Sequence, residues 1–251
     1  VGCVEQSGLQ VMDIFLDVYG AAKEAALFEQ AVDQNVIILK MERESTTLGL
    51  LSRGRLTSCI IDPEGVGTIA GALVDQYGLN SADAAELVKY SARLGEKVYS
   101  ANPVYIWQAE GEARKITEQQ LVECIQPKVD AWTDSMSKLC APILQAGKTA
   151  VIITGEGGEM QGLNDLLKRQ LKCEVRNYIP ETLGGRNAGL TACLGLFYAY
   201  KDKLPITGYT DNSLDMDAFI KSVSYREARA AGNPEDTITK KLKGILFDTK
   251  K

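Results

Sequence analysis

The chain has 251 residues, 45% apolar and 24% charged, a balance that excludes collagen-like, mucin-like and wholly disordered classes and allows a sizeable core. Its formal charge of −5 is the reverse of what a duplex-binding surface needs, so no nucleic-acid partner is expected. Histidine is absent, which removes Ser-His-Asp and Cys-His catalysis and every histidine-containing metal site.

The opening reads as mid-domain sequence and suggests part of a longer protein. Residues 4–7 look like the tail of a helix ending at Gly8, followed by an apolar-rich segment, Val11 to Tyr19, then Gly20 and an alanine-rich helix to about Leu27. Three strand-like runs follow: Asn35 to Met41, Ser45 to Leu51, and Arg55 to Ile61, the last two joined by an Arg53-Gly54 turn. Their tight connections predict a meander. Thr68 to Tyr77 and Ser81 to Ser91 carry helical periodicity, with Asn80 as a candidate N-cap. Val98 to Ala109 is strand-like, and Thr117 to about Leu144 is a long helical stretch that Pro127 should kink or split. Lys148 to Thr154 reads as a buried strand entering the turn Gly155-Glu156-Gly157-Gly158. A helix to about Leu171, a short strand at 174–178 and a last helix from Asn187 to Tyr200 complete the ordered pattern. Beyond Lys203 the composition turns polar, and 204–235 is expected to be a tail or linker.

Six cysteines, at 3, 59, 124, 140, 173 and 193, include no C-x-x-C pair, so free thiols in a reducing cytoplasm are expected. The longest apolar-leaning run, Leu190 to Tyr200, is too short to span a bilayer.

Meander, helix, strand, helix, strand, helix is the order of a ribonuclease-H-like α/β unit. Four segments then resemble the second half of bacterial actin-like proteins, most closely the FtsA family of cell division proteins. CVEQSGLQVMDIFLDVYGAAKEAAL is similar to the last strand and inter-domain helix of the first actin-like domain, with Asp17-Val18 where the family has Glu-Pro. NVIILKMERESTTLGLLSRGRL stands where the family has its second phosphate loop, and TGEGGEMQGL resembles the adenosine loop. VRNYIPETLGGRNAGLTACLGLFYAY resembles the closing helix. The resemblance implies an actin-like ATPase (ribonuclease-H-like) domain with an inserted helical α/β subdomain. It assigns 1–31 to the end of the first domain and inter-domain helix, 32–62 and 147–203 to the core subdomain, 63–146 to the insertion and 204–251 to the tail.

The departures from that family bear on function. Its acidic metal-positioning residue falls on Lys40, and its three glycines on Glu42, Arg43 and Glu44; Ser45 and Thr46 stand at its two threonines. A side chain forced into a glycine-only conformation costs about 1–3 kcal/mol. A carboxylate about 4 Å from a phosphate charge adds roughly 4 kcal/mol of repulsion. The expectation is a vestigial nucleotide site without catalysis and without a resident cofactor; the rival is a site rebuilt around Lys40 and Arg43 that takes ATP and Mg. On the adenosine side Gly155, Gly157 and Gly158 remain, and Glu86 and Lys89 match the family's Glu-x-x-Lys clasp. Bland readings stay open for both: a strand-to-helix turn, and a solvated helix pair.

In FtsA proteins the inserted subdomain receives the C-terminal tail of FtsZ, and the family's arginine there falls on Lys128. A solvated lysine is the alternative, while Leu121 and Ile125 are expected in the core. The end of the chain, TITKKLKGILFDTKK, places Ile238, Leu242, Ile245 and Leu246 on one helical stripe with Lys240, Lys241 and Lys243 outside it. It resembles the family's membrane-binding amphipathic helix; a helix docked on its own domain or a frayed end are the alternatives. The resemblance thus implies a cytoplasmic division protein, peripheral on the inner face of the cell membrane, that binds the FtsZ tail and self-associates into filaments. A working ATPase and an actin-like scaffold of another machine, such as a type IV pilus assembly, are the competing readings.

Overall fold

The run NVIILKM forms a strand buried on both sides, and the rest of the chain arranges itself around it. The computed structural model describes residues 1–109 and 111–207. In chain order its elements are α1 (Gly2–Gln6), α2 (Asp17–Glu24), α3 (Leu27–Gln30), β1 (Asn35–Met41), β2 (Thr46–Ser52), β3 (Arg55–Asp62), α4 (Val66–Tyr77) and α5 (Ser81–Tyr90). There follow β4 (Pro103–Ala109), β5 (Glu112–Thr117), α6 (Glu118–Ala146), β6 (Thr149–Thr154), α7 (Leu163–Leu171), β7 (Glu174–Asn177) and α8 (Thr191–Thr207). Two compact units result: Phe15–Pro205, described below, and a second holding Val1–Ile14, in which α1 is exposed along its length.

The main sheet has the order β3-β2-β1-β6-β7, antiparallel across β1–β2 and β2–β3 and parallel across β1–β6 and β6–β7. Ile38 lies between Gly49 on one side and Ile152 on the other. The β2–β3 hairpin closes through Arg53 and Gly54, both in the left-handed region at φ 51° and 69°, as a two-residue hairpin turn requires.

Alternation along β1 divides the core. Ile37, Leu39 and Met41 point into one cluster with α4, α5, α6 and α7, where Leu73, Val88, Ile125, Trp132 and Leu167 are buried. Val36 and Ile38 point the other way, onto Val18, Ala21 and Ala22 of α2 and Leu27 of α3. A strand covered on both faces must be apolar at nearly every position, which is why its sequence shows no period of two. Leu121 and Ile125 are core residues, as expected. The helices of the 63–146 stretch contribute Leu73, Val88, Ile125 and Trp132 to this cluster.

Several sequence expectations need correction. No strand forms over 9–16; Leu9 and Leu16 are exposed there, and no described strand pairs with that stretch. The helix expected after Gly20 already starts at Asp17. The strand expected over 98–109 begins only at Pro103, and its partner β5 was not foreseen. Pro127 does not split α6, which runs through Pro127 and Pro142 over 29 residues. Each proline removes an amide that would bond the carbonyl four residues earlier. Those carbonyls belong to Glu123 and Lys138, both exposed, so water can satisfy them. Of the cysteines only Cys140 is buried; Cys3, Cys59 and Cys193 are exposed, and all six are free.

The start of α6 is fixed from both directions. Thr117 and Gln120 form a capping box. Arg93, just beyond α5, grips the buried Glu118 carboxylate through Nε at 2.6 Å and its terminal nitrogen at 2.8 Å, while the Ser100 N–H donates to the same carboxylate at 3.1 Å. The Arg93 hydrogen bonds hold the Glu118 carboxyl below its ordinary pKa, overcoming burial, which acts the other way. A depressed carboxyl stabilises the fold above its unfolded value and loses that contribution as pH falls through the folded value. Arg93→Ala is therefore expected to be less stable than wild type in urea at pH 7. The gap should narrow below about pH 4.

Candidate functional site

The parallel strands β1 and β6 end side by side, and in open α/β sheets the crevice beyond such carboxyl ends is where ligands bind. Three segments meet there. The turn 42–45 leaves β1, the turn 155–159 leaves β6, and Lys89 reaches in from α5.

Charges fill this crevice. Lys40, only 7% exposed, points to the α2 side and places Nζ 2.6 Å from Glu42 Oε1 and 3.0 Å from Asp17 Oδ2 at the start of α2. Burial pulls its pKa down, but hydrogen bonds and charge from Glu42 and Asp17 outweigh that and hold it above the ordinary lysine value. Arg43 crosses to the glycine turn, where its terminal nitrogen lies 3.2 Å from Glu156 Oε2. Lys89, also 7% exposed, sits 2.8 Å from Glu86 Oε1 and 3.8 Å from that same Glu156 oxygen. Glu44 turns out to solvent.

The backbone closes the crevice further. Glu42 N–H donates to Ser45 O at 2.9 Å, which tightens the turn. At the start of α4, Val66 N–H donates to Glu42 O at 2.9 Å and Gly67 N–H to Arg43 O at 2.7 Å. Amides at a helix start are natural anion donors, and here carbonyls of the same chain take them. Gly155 adopts φ 77° and ψ −167°, a region open essentially to glycine alone. A β-carbon there would lie 2.5 Å from Met41 O, and one on Gly157 would collide with the Met41 side chain. These glycines allow the 155–159 turn to lie against the end of β1. Gly158 is buried beneath the turn. The Glu159 carboxylate accepts the Ala188 N–H at 2.9 Å and also the Tyr90 hydroxyl, a bond that raises the tyrosine pKa.

The residues singled out from the sequence are therefore distributed as follows. Glu86, Lys89, Gly155, Gly157 and Gly158 come together around the 155–159 turn, and Lys89 is buried instead of solvated. Ser45 is half-buried in the 42–45 turn. Thr46 is turned inward: its hydroxyl donates to Glu64 O at 2.7 Å and accepts Trp132 Nε1–H at 2.9 Å. Lys128 is exposed on α6, well apart in sequence from the crevice segments. Ile238, Leu242, Ile245 and Leu246 lie outside the described residues. Sequence reasoning missed Asp17 as the partner of Lys40, and treated Glu156 only as a lost glycine when it joins two cations. A magnesium-bound triphosphate does not fit this arrangement, because the strand-end carboxylate is a lysine and the amide donors and glycine space are already occupied by the chain itself.

No protein-family model matches the chain. Curated relatives are cell division proteins FtsA: that of Staphylococcus epidermidis is 22% identical over 92% of this chain and 51% of its own length. That of Enterococcus hirae is 24% identical over 98% of this chain and 61% of its own length. The chain thus spans about half the length of the curated relatives it matches. Among solved structures, MreB5 of Spiroplasma citri bound to ADP aligns with a TM-score of 0.61 at 14% identity, over 82% of this chain and 65% of that one. The PilM-PilN type IV pilus biogenesis complex gives a TM-score of 0.61 at 15% identity, over 78% and 55%. The MamK double helical filament gives 0.58 at 11% identity, over 74% and 58%. The sheet order and crevice described above are those of an actin-like ATPase fold, and the sequence of the chain is similar to that of FtsA cell division proteins.

Proposed function

We propose that this chain belongs to an actin-like cell division protein that tethers FtsZ-type filaments to the cytoplasmic membrane by binding and self-assembly, without nucleotide turnover of its own. The observation that carries the second half is the Arg43–Glu156 ion pair, which joins the two turns across the crevice. With Lys40 held between Asp17 and Glu42, the phosphate side has charges and contacts of its own where an ATPase needs open amides and a metal-positioning carboxylate. Ser45, Glu86, Lys89, Gly155, Gly157 and Gly158 are then the remains of a nucleotide clasp; Thr46 has passed to the core.

The tether reading rests on the FtsA relatives. It assigns the FtsZ tail to the α6 surface around Lys128, where an exposed cation suits an acidic peptide, and membrane contact to residues 237–251. The protein would then work in the cytoplasm, peripheral on the inner face of the membrane. One experiment addresses both halves: titration of the chain with a fluorescent ATP analogue with and without magnesium, alongside flotation with anionic liposomes and an FtsZ tail peptide. Expected are no magnesium-dependent nucleotide binding in the micromolar range and co-flotation of the peptide only with the intact chain. Micromolar magnesium-dependent binding would end the non-catalytic claim, and a folded chain that leaves the peptide behind would end the division assignment.

A further inference from the structure

The two edges of the main sheet are finished differently. At one edge β7 has only four residues, and its exposed Glu174 and Arg176 pair with each other at 3.2 Å. Shortness and charge are two ways in which an edge strand is kept from pairing with another chain. At the other edge β3 has neither protection. It runs eight residues, and from Leu56 to Ile61 it carries no charge. Ile60 and Ile61 are 43% and 68% exposed, beside an exposed Cys59. Among the described residues β3 pairs only with β2, so the backbone groups of its outer edge have no strand partner.

Both faces of the sheet are apolar along this edge. Ile60 lies opposite Leu48 of β2, on the face that packs against α6. Cys59 and Ile61 lie opposite Gly49 and Thr47, on the face of Val18 and α2. The irregularity in the β2–β3 ladder falls between Leu50 and Leu51, so the stretch from Ser58 to Asp62 is regular.

That stretch complements itself. A two-fold contact sets the strand antiparallel to its own copy, and directly opposed residues then share a face of the sheet. With the axis at Ile60, Ile60 meets Ile60 of the second copy and Cys59 meets Ile61. The Ser58 hydroxyl then meets the Asp62 carboxylate. Ser135 Oγ–H already donates to Asp62 at 2.8 Å, and a carboxylate keeps further acceptor sites. A slip of two residues sets Ile60 against Ser58 or Asp62, and a slip of one reverses the faces. Antiparallel order also brings Arg55 of each copy toward the acidic end of the other, Asp62 to Glu64.

We propose that β3 is a self-pairing edge, through which two copies of this chain join antiparallel about Ile60 into one continuous sheet. The inference deepens the self-assembly of the proposed function and rests on that reading only for its setting. It names the surface of one contact and the copy that covers it.

The test measures sedimentation equilibrium and hydrogen exchange of the 251-residue chain over a range of concentrations. The unaltered chain should form a dimer, and the amides of 58–62 should become more protected as concentration rises. Ile60→Lys places two like charges face to face at the axis, at a position already half open to water. It should weaken the dimer at least about tenfold while leaving the urea midpoint near that of the unaltered chain. Ile61→Cys sets a thiol opposite Cys59 of the second copy, and mild oxidation should then give a covalent dimer. Adding Cys59→Ser should remove most of that product. An unaltered chain that stays monomeric up to about 100 μM overturns the proposal. Protection of 58–62 that does not depend on concentration also overturns it, and assigns the edge to a segment of the same chain. A dimer that Ile60→Lys leaves intact shows that another surface joins the copies, and overturns it as well. None of these results touches the liposome and FtsZ-peptide readout, so failure of the contact and failure of the proposed function are distinguishable.

Discussion

Gly195→Val should lower the unfolding free energy by about 3 kcal/mol, read as a shifted urea midpoint with an unchanged slope. Helices α2 and α8 cross where Gly20 meets Gly195. A β-carbon on Gly195 would run into the Gly20 carbonyl and approach Glu24 N to 3.0 Å, and one on Gly20 would lie 2.5 Å from Ala192 O. Those neighbours are backbone atoms, which cannot rotate aside as a side chain can, so the helices must separate. Separation would loosen the layer of Val18, Ala21 and Ala22 that covers Val36 and Ile38 of β1. The control is Gly71 within α4, whose added β-carbon meets nothing within 4 Å. Gly71→Ala should stabilise by about 0.5–1 kcal/mol, the ordinary helix-propensity difference. Two glycines inside helices would thus respond with opposite signs. If both changes prove neutral, the close crossing has been misjudged.

What the sequence made readable follows from local chemistry. The runs NVIILKM and TAVIIT can be little else than buried strands, and Arg53-Gly54 marks its hairpin because the turn needs left-handed dihedrals that few residue pairs accept. The hairpin β4–β5 was half hidden because the EARKIT segment buries only Ile116 fully and offers no apolar alternation. Pro127 misled for a related reason. A proline's effect depends on whether the orphaned carbonyl faces water, and that is set by helix orientation, not by the residue itself.

The crevice was legible in part. That Lys40 to Glu44 carry charge where glycines would be needed is visible in the residues alone. How these charges neutralise one another is not, since Asp17, the second partner of Lys40 after Glu42, lies 23 residues away and the partner of Arg43 lies 113 away. Pairing at that separation is a product of topology: β1 and β6 must lie side by side before Arg43 and Glu156 can meet. Lys89 illustrates the same point. As one half of a Glu-x-x-Lys pair it was indistinguishable from a solvated helix pair until the 155–159 turn covered it.

Trp132→Ala should cost about 3–5 kcal/mol, a large share of a domain's total stability. Trp132 is 2% exposed on α6, within the cluster that includes Ile37, Leu39 and Met41, and its indole N–H donates to Thr46 Oγ1 at the first residue of β2. The Thr46 hydroxyl in turn donates a hydrogen bond to Glu64 O, so three segments hang on one hydroxyl: α6, β2 and the loop before α4. Trp132→Phe keeps most of the ring but strands the hydroxyl's acceptor side, and should cost about 1–2 kcal/mol. Thr46→Val strands the indole N–H and the Glu64 carbonyl together, and should cost about 1–3 kcal/mol. If the indole–hydroxyl bond is the link, the double variant Trp132→Phe/Thr46→Val should fall short of the sum of the singles by about 0.5–1.5 kcal/mol in urea denaturation, because the second change no longer strands a partner. Strict additivity would return Thr46 to the crevice as a candidate ligand. The predicted coupling instead makes its hydroxyl part of the core that holds the 42–45 turn shut.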